Sequence, residues 1–303
     1  MTKGELAFVQ WLTERVKPDP ARIPVHIGDD AAVVNVGAEQ IVITTDMLLD
    51  GTHFDTARHA LDRIGAKAIA CSLSDCAAMA ARPIAATVSV ALPETMPMAD
   101  AQALFDAMDG KARRYDCPLV GGDTTSWTDR LAIDVTMIAR PALQQGPVLR
   151  STARRGDAIF VTGPLGGSIR GKHLDFEPRL DLIDALAAMP PHSVRAMIDL
   201  SDGLALDLFR LCKASHVGAT LHEAALLTVI SDDAKALAQI DGLDPLQHAL
   251  TDGEDFELLL IGGDALADIA TPIGHVVDSA DITLVTTAGR LEPLEPHGYE
   301  HFQ

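Results

Sequence analysis

The chain has 303 residues, 48% of them hydrophobic, with 24 Lys and Arg against 43 Asp and Glu. That length is enough for a sizeable core and favours two domains. The formal net charge of -19 argues against nucleic acid and anionic membrane surfaces as partners, since no basic patch in the sequence offsets it.

An acidic chain can still bind anionic substrates when metal ions supply the positive charge, which directs attention to individual aspartates. No apolar run approaches membrane-spanning length. Cys71, Cys76, Cys117 and Cys212 share no Cys-x-x-Cys spacing, so reduced thiols in a cytoplasmic protein are expected and structural zinc is not.

In chain order, Leu6, Val9, Leu12 and Val16 give the opening segment an amphipathic helical pattern, stopped by Pro18-Asp19-Pro20. Val25 to Val36 reads as a strand, a Gly28-Asp29-Asp30 turn and a second apolar run, where paired acids serve turn chemistry or bind metal. Gln40 to Thr45 is a β-branched strand expected to end at Asp46, followed by Asp50-Gly51-Thr52-His53-Phe54. Arg58 to Ala81 is a helix of small residues. Within it Asp75 shares a stripe with Cys71 and Met79, so its carboxylate points inward and needs either a distant cation or a metal.

A strand over Ile84 to Leu92, a helix over Ala99 to Tyr115 and a strand over Leu131 to Ile138 follow. Before the last of these, Leu119 to Ser126 (Leu-Val-Gly-Gly-Asp-Thr-Thr-Ser) reads as a strand end running into a sharp Gly121-Gly122 turn that carries Asp123. No Gly-Lys-Ser/Thr follows, so it is not a P-loop. A carboxylate beside bare amides makes sense where a divalent cation lies between it and a phosphate. These elements make one mixed α/β domain ending near Pro141.

Gln144 to Gly156 changes to a linker composition and holds the densest basic cluster, Arg150, Arg154 and Arg155. These are solvated linker charges or, at a domain seam, groups suited to a polyphosphate. Asp157 to Thr162 is a strand leading into Gly163-Pro164-Leu165-Gly166-Gly167-Ser168, a glycine turn expected to open a helix. Ile198-Asp199-Leu200-Ser201-Asp202-Gly203 precedes a helix over Leu204 to Ala214, with Ser201 or Asp202 available as its cap. Gly218 to Leu226 reads as a strand, and the acidic turn Asp252-Gly253-Glu254-Asp255-Phe256-Glu257 enters a strand over Leu258 to Ile261. The aromatic tail from Gly298 to Phe302 is expected to dock.

Each acid alone has a bland reading. Asp29, Asp30, Asp46, Asp75, Asp123, Asp199 and Asp202 together fall at strand ends, glycine turns or a buried helix face, which implies several hard cations holding a nucleotide polyphosphate.

The ordered set of motifs resembles the thiamine-monophosphate kinase family: Gly-Asp-Asp-Ala-Ala-Val-Val at 28 to 34, Thr-Thr-Asp-Met-Leu-Leu-Asp-Gly-Thr-His-Phe at 44 to 54, Ser-Leu-Ser-Asp-Cys-Ala-Ala-Met at 72 to 79, Val-Gly-Gly-Asp-Thr-Thr at 120 to 125, Ile-Asp-Leu-Ser-Asp-Gly-Leu at 198 to 204, Asp-Gly-Glu-Asp-Phe-Glu-Leu at 252 to 258, and Gly-Tyr-Glu-His-Phe at the end. It implies the two-domain α/β fold of the aminoimidazole ribonucleotide synthetase-like superfamily. Residues 1 to 143 would form an ATP- and Mg²⁺-binding domain that pairs with its twin in a homodimer, and residues 144 to 303 a C-terminal α/β domain. The implied activity is ATP-dependent phosphorylation of thiamine monophosphate to thiamine diphosphate.

By the same resemblance, Asp30, Thr44, Thr45, Asp46, Asp75, Asp123, Asp199 and Asp202 would surround several Mg²⁺ ions. Gly122, Asp123, Arg150 and Ser201 would touch ATP, and His53, Glu254 and Tyr299 would face the thiamine substrate. No covalent nucleophile is expected. Asp252 stands where many relatives carry glycine, the stretch Ser168 to Pro190 is short, and a tail tryptophan found in relatives is replaced by Pro296-His297. The rivals are another ATP-dependent enzyme of the superfamily that activates an amide, and a non-catalytic nucleotide-binding protein.

Overall fold

Alternation of apolar and polar residues builds the first sheet. Ile133, Val135, Met137 and Ala139 are fully buried while the residues between them are not, as expected of a strand covered on one face. The computed structural model describes residues 5–300. The N-terminal elements are α1 (Glu5–Arg15), β1 (Ala32–Val36), β2 (Glu39–Leu49), α2 (Leu61–Ala78), β3 (Ala81–Pro93), α3 (Met98–Arg114), β4 (Leu119–Trp127) and β5 (Ala132–Pro141).

The chain continues through β6 (Ala158–Val161), α4 (Lys172–Asp175), α5 (Ile183–Ala188), β7 (Val194–Asp199), α6 (Leu204–Ser215) and β8 (Gly218–His222). It closes with α7 (Glu223–Val229), α8 (Asp232–Asp241), α9 (Pro245–Thr251), β9 (Leu258–Gly262), β10 (Thr271–Val277), β11 (Ile282–Val285) and β12 (Leu291–Pro293). The mixed α/β architecture expected from the motif order is the one observed.

Among the described residues there are two sheets, one in the order β1-β2-β5-β3-β4 and one in the order β12-β11-β8-β10-β6-β9-β7. Each has its own apolar core, the first around Ile64, Leu73, Leu104 and Val135, the second around Ile159, Ile198, Leu208 and Ile261. A third cluster joins the halves, where Ala77, Ala78 and Ala80 at the end of α2 meet Phe160, Met197 and Leu260. The small residues of α2 therefore serve close packing on both sides, and they hold Asp75 at the seam. No helix of the described residues is long and apolar enough to cross a membrane.

Several local expectations change. β2 does not end at Asp46 but runs to Leu49, because β5 pairs with it along that whole length, with Asp46 opposite Val135. The Gly121-Gly122 pair is not a turn. It lies inside β4, which runs parallel to β3, and a Cβ on Gly122 would sit 1.8 Å from the Val88 carbonyl oxygen. Glycine is needed there for close strand approach rather than for reversal.

The turn at 163–168 leads only into a 3-10 turn, Ser168–Arg170. The strand from Gly218 stops at His222, where α7 begins. Neither Ser201 nor Asp202 caps α6, whose N-cap is Gly203. In the tail, Tyr299 donates its backbone N–H to Asp202 at 2.9 Å; His301 and Phe302 lie outside the described residues.

Candidate active site

The inward stripe of α2, the centre of β2 and the end of β7 converge on one acidic cluster. Asp30, Asp75 and Asp199 each bring a carboxylate oxygen within 4.8 Å of the others. Asp30 follows the Gly28-Asp29 turn, Asp75 projects from α2 where the local stripe requires, and Asp199 is the last residue of β7. Hydroxyls orient the carboxylates: Thr44 donates to Asp75, Ser72 to Asp46 at 2.7 Å, and Ser74 to Asp199 at 2.6 Å.

Among the described residues, Arg150 is the cation bonded to Asp30 of the cluster. The Arg150 guanidinium makes a bidentate pair with Asp30, at 2.6 and 2.9 Å, and its backbone N–H reaches Asp29 at 3.2 Å. Burial alone would push this guanidinium down, but Asp30 and then Asp29 outweigh it and hold it above its ordinary value. One guanidinium does not neutralise the group. Burial, reinforced by Asp46, Asp199 and Asp30, raises the Asp75 carboxyl well above its usual range. Burial and Asp30 do the same to Asp199, and burial raises Asp46 against the pull of the Ser72 hydroxyl. Three hard oxygen donors at this spacing, under-neutralised and held by second-sphere hydroxyls, fit a divalent cation of the Mg²⁺ type.

Asp75, Asp199, Asp46 and Asp202 open onto a cavity of about 520 Å³ between the two halves. Thr45, His53, Ser201, Glu254 and Tyr299 line it as well, while Thr45 also approaches Thr136 at 3.1 Å and Asp134 at 3.3 Å. Ten of the sequence-predicted residues are thereby brought to the cavity or the cluster beside it, with Thr44 and Arg150 bonded directly behind them. Gly122 and Asp123 are not brought there. They sit on β4, the outer strand of the first sheet, and are exposed.

The acidic turn at 252–257 braces the site. Asp255 accepts from the Gly166 N–H at 2.8 Å and Asp252 from the Gly167 N–H at 2.7 Å. Glu254 donates its N–H to the Ser201 carbonyl at 2.6 Å. Glu254 and Phe256 both have left-handed backbone, at φ of 61° and 49°, a conformation that non-glycine residues hold only under constraint. Asp252 is thus tied to the glycine turn, and to His248 at 3.1 Å.

Lys67, Ser72, Ser74 and Arg210 escape sequence reasoning as site residues. Arg210 pairs with Asp202 and, at 2.8 Å, with Asp207, a three-residue helical spacing that could have signalled it. Lys67 shows in the sequence only as a lone ammonium among small apolar residues.

The description "AIR synthase related protein, N-terminal domain" matches residues 28–140. Over 98% of its length the chain is 37% identical to the thiamine-monophosphate kinase of Rhodopirellula baltica, of which it covers 97%. It is 35% identical to the enzyme of the same name from Mycobacterium tuberculosis, with 93% and 87% of the two chains covered. Among solved structures, AaThiL complexed with AMPPCP and TMP superposes with a TM-score of 0.85 at 26% identity, covering 99% of this chain and 97% of that one. The chain belongs to the thiamine-monophosphate kinase family.

Proposed function

We propose that this protein transfers the γ-phosphoryl group of ATP to thiamine monophosphate in the cavity between its two halves, with Mg²⁺ held by Asp30, Asp75 and Asp199. The carrying observation is the convergence of those three carboxylates within 4.8 Å, two of them opening onto the cavity. AaThiL, similar along almost its whole length, holds AMPPCP and TMP. Asp46, Asp202, Thr44 and Thr45 complete the polar wall. Ser201 and Arg150 serve the nucleotide, and His53, Glu254 and Tyr299 the acceptor. We take residues 1–143 and 144–303 as the two domains, each built around one sheet.

The acceptor is a phosphate monoester with a second pKa of about 6, so it is already an anion at neutral pH and needs no general base. The task is to bring two anions into line. Mg²⁺ held by Asp30, Asp75 and Asp199 would supply the positive charge that neutralises the two anions. The protein's own part is orientation. Hydroxyls of Thr44, Ser72 and Ser74 fix the carboxylates, and the bidentate Arg150 pair fixes the direction of Asp30.

The twin contact of a homodimer lies, in this reading, along β4. Val120 is 65% exposed and Trp127 42% on that open edge, a surface that invites pairing with another chain. Gly122 and Asp123 lie on the same strand, so an ATP site shared between two copies would recruit them. With ATP labelled at the γ-phosphorus, label is expected in thiamine diphosphate and none on the protein. Label trapped on the protein would contradict direct transfer.

A further inference from the structure

Lys67 is fully buried in α2, yet its ammonium reaches two separate loops of the cavity wall. Nζ donates to the His53 carbonyl at 2.6 Å and to Glu254 Oε1 at 2.6 Å. His53 follows β2 of the first half, and Glu254 stands in the turn before β9 of the second. The Lys67 side chain is 0% exposed and that of Glu254 28%. A charge taken so far out of water is held only by a well-made pair, and such pairs often fix geometry more than they add stability.

Glu254 needs that fixing. Its backbone is left-handed, and the turn around it also carries the left-handed Phe256. Its carboxylate faces a cavity already crowded with Asp46, Asp75, Asp199 and Asp202, so like charges oppose its placement there. The ammonium, pinned by the His53 carbonyl on one side, supplies the opposite charge that keeps the carboxylate at the wall.

We propose that Lys67 is a positioning residue for the acceptor: acting through Glu254, it sets affinity for the thiamine phosphate and not for ATP. This rests on the functional reading above. Lys67, with its side chain 0% exposed, acts without touching substrate. Its stem packs within the helix core, so Lys67→Met keeps the apolar length and removes only the charge.

Steady-state kinetics of the wild type, Lys67→Met, Glu254→Gln and the double variant test this. The expected result for Lys67→Met is a rise of about tenfold in KM for thiamine monophosphate, the scale of a charged hydrogen bond, with KM for ATP within about twofold. Because Lys67 acts through Glu254, the double variant should match Glu254→Gln within about twofold. A merely structural lysine would lower the folded fraction and hence kcat while leaving both KM values alone.

That result, an equal rise in both KM values, or an additive double variant would overturn the proposal. Should Lys67→Met fail to fold, the double variant, which removes both charges, is read against Glu254→Gln alone. Equal KM values support the proposal and a further rise overturns it. Failure of the wild type to turn over any thiamine phosphate would remove the functional reading itself, and this inference with it.

Discussion

Asp75 and Asp199 show the conflict at the scale of single residues. Each is buried beside other carboxylates, and among the described residues Arg150 bonds the cluster at Asp30. Asp75→Asn keeps an acceptor for the Thr44 hydroxyl and cannot take up the charge that burial and the neighbouring carboxylates oppose. It should therefore raise the melting temperature of metal-free protein by about 2–4 °C, corresponding to ~1 kcal/mol in a chain of this size, and lower turnover at least ~100-fold. Calorimetry beside an activity assay checks both, and full activity would remove the metal-ligand assignment.

Acidity follows the same logic. A carboxyl whose folded pKa is raised contributes stability below its ordinary value of 3.8 and loses it as pH climbs toward the folded value. Burial, with Asp30 beside it, pushes Asp29 up to about 7, and burial, with Asp202 beside it, does so for Asp207. Metal-free protein should therefore lose stability between about pH 4 and 7, and the rise in melting temperature on adding Mg²⁺ should grow over the same interval as protons leave the cluster. Melting scans with chelator and with Mg²⁺ measure this; a Mg²⁺ effect independent of pH would contradict it.

Among the elements, β4 separates two meanings of glycine. Gly122→Ala puts a Cβ against the Val88 carbonyl and should cost about 2–3 kcal/mol by overpacking, seen as a lowered denaturant midpoint. No change would mean the β3–β4 pair is looser than described. The sequence could not distinguish this strand from a turn, because Gly-Gly-Asp has turn composition and only the partner strand reveals the close approach.

Asp46 was misplaced for a similar reason: strand ends are set by pairing partners, here β5, which lie far off in sequence. Asp75 was legible because helical spacing is local. Its i−4 and i+4 neighbours fix its direction, and the absence of a nearby cation pointed to a metal or a distant arginine. Lys67, by contrast, meets Glu254 across 187 positions, a separation that no local pattern encodes.

The whole molecule sets two sheets around an acidic seam, and its net charge of -19 opposes polyphosphates unless cations offset it locally. An open β4 edge bearing Val120 and Trp127 predicts association of two copies. Val120→Asp, on an exposed position of that strand, should shift light scattering from dimer to monomer, whereas an unchanged dimer would move the interface elsewhere.

Phosphoryl transfer to a thiamine phosphate at the carboxylate cluster is measured by ADP release. Mg-ATP is supplied in parallel with thiamine monophosphate, with thiamine and with buffer, each with and without chelator. Release above background is expected with the monophosphate alone, abolished by chelator and accompanied by thiamine diphosphate on chromatography. Release at the buffer rate in all arms, or turnover that survives the chelator, would contradict it.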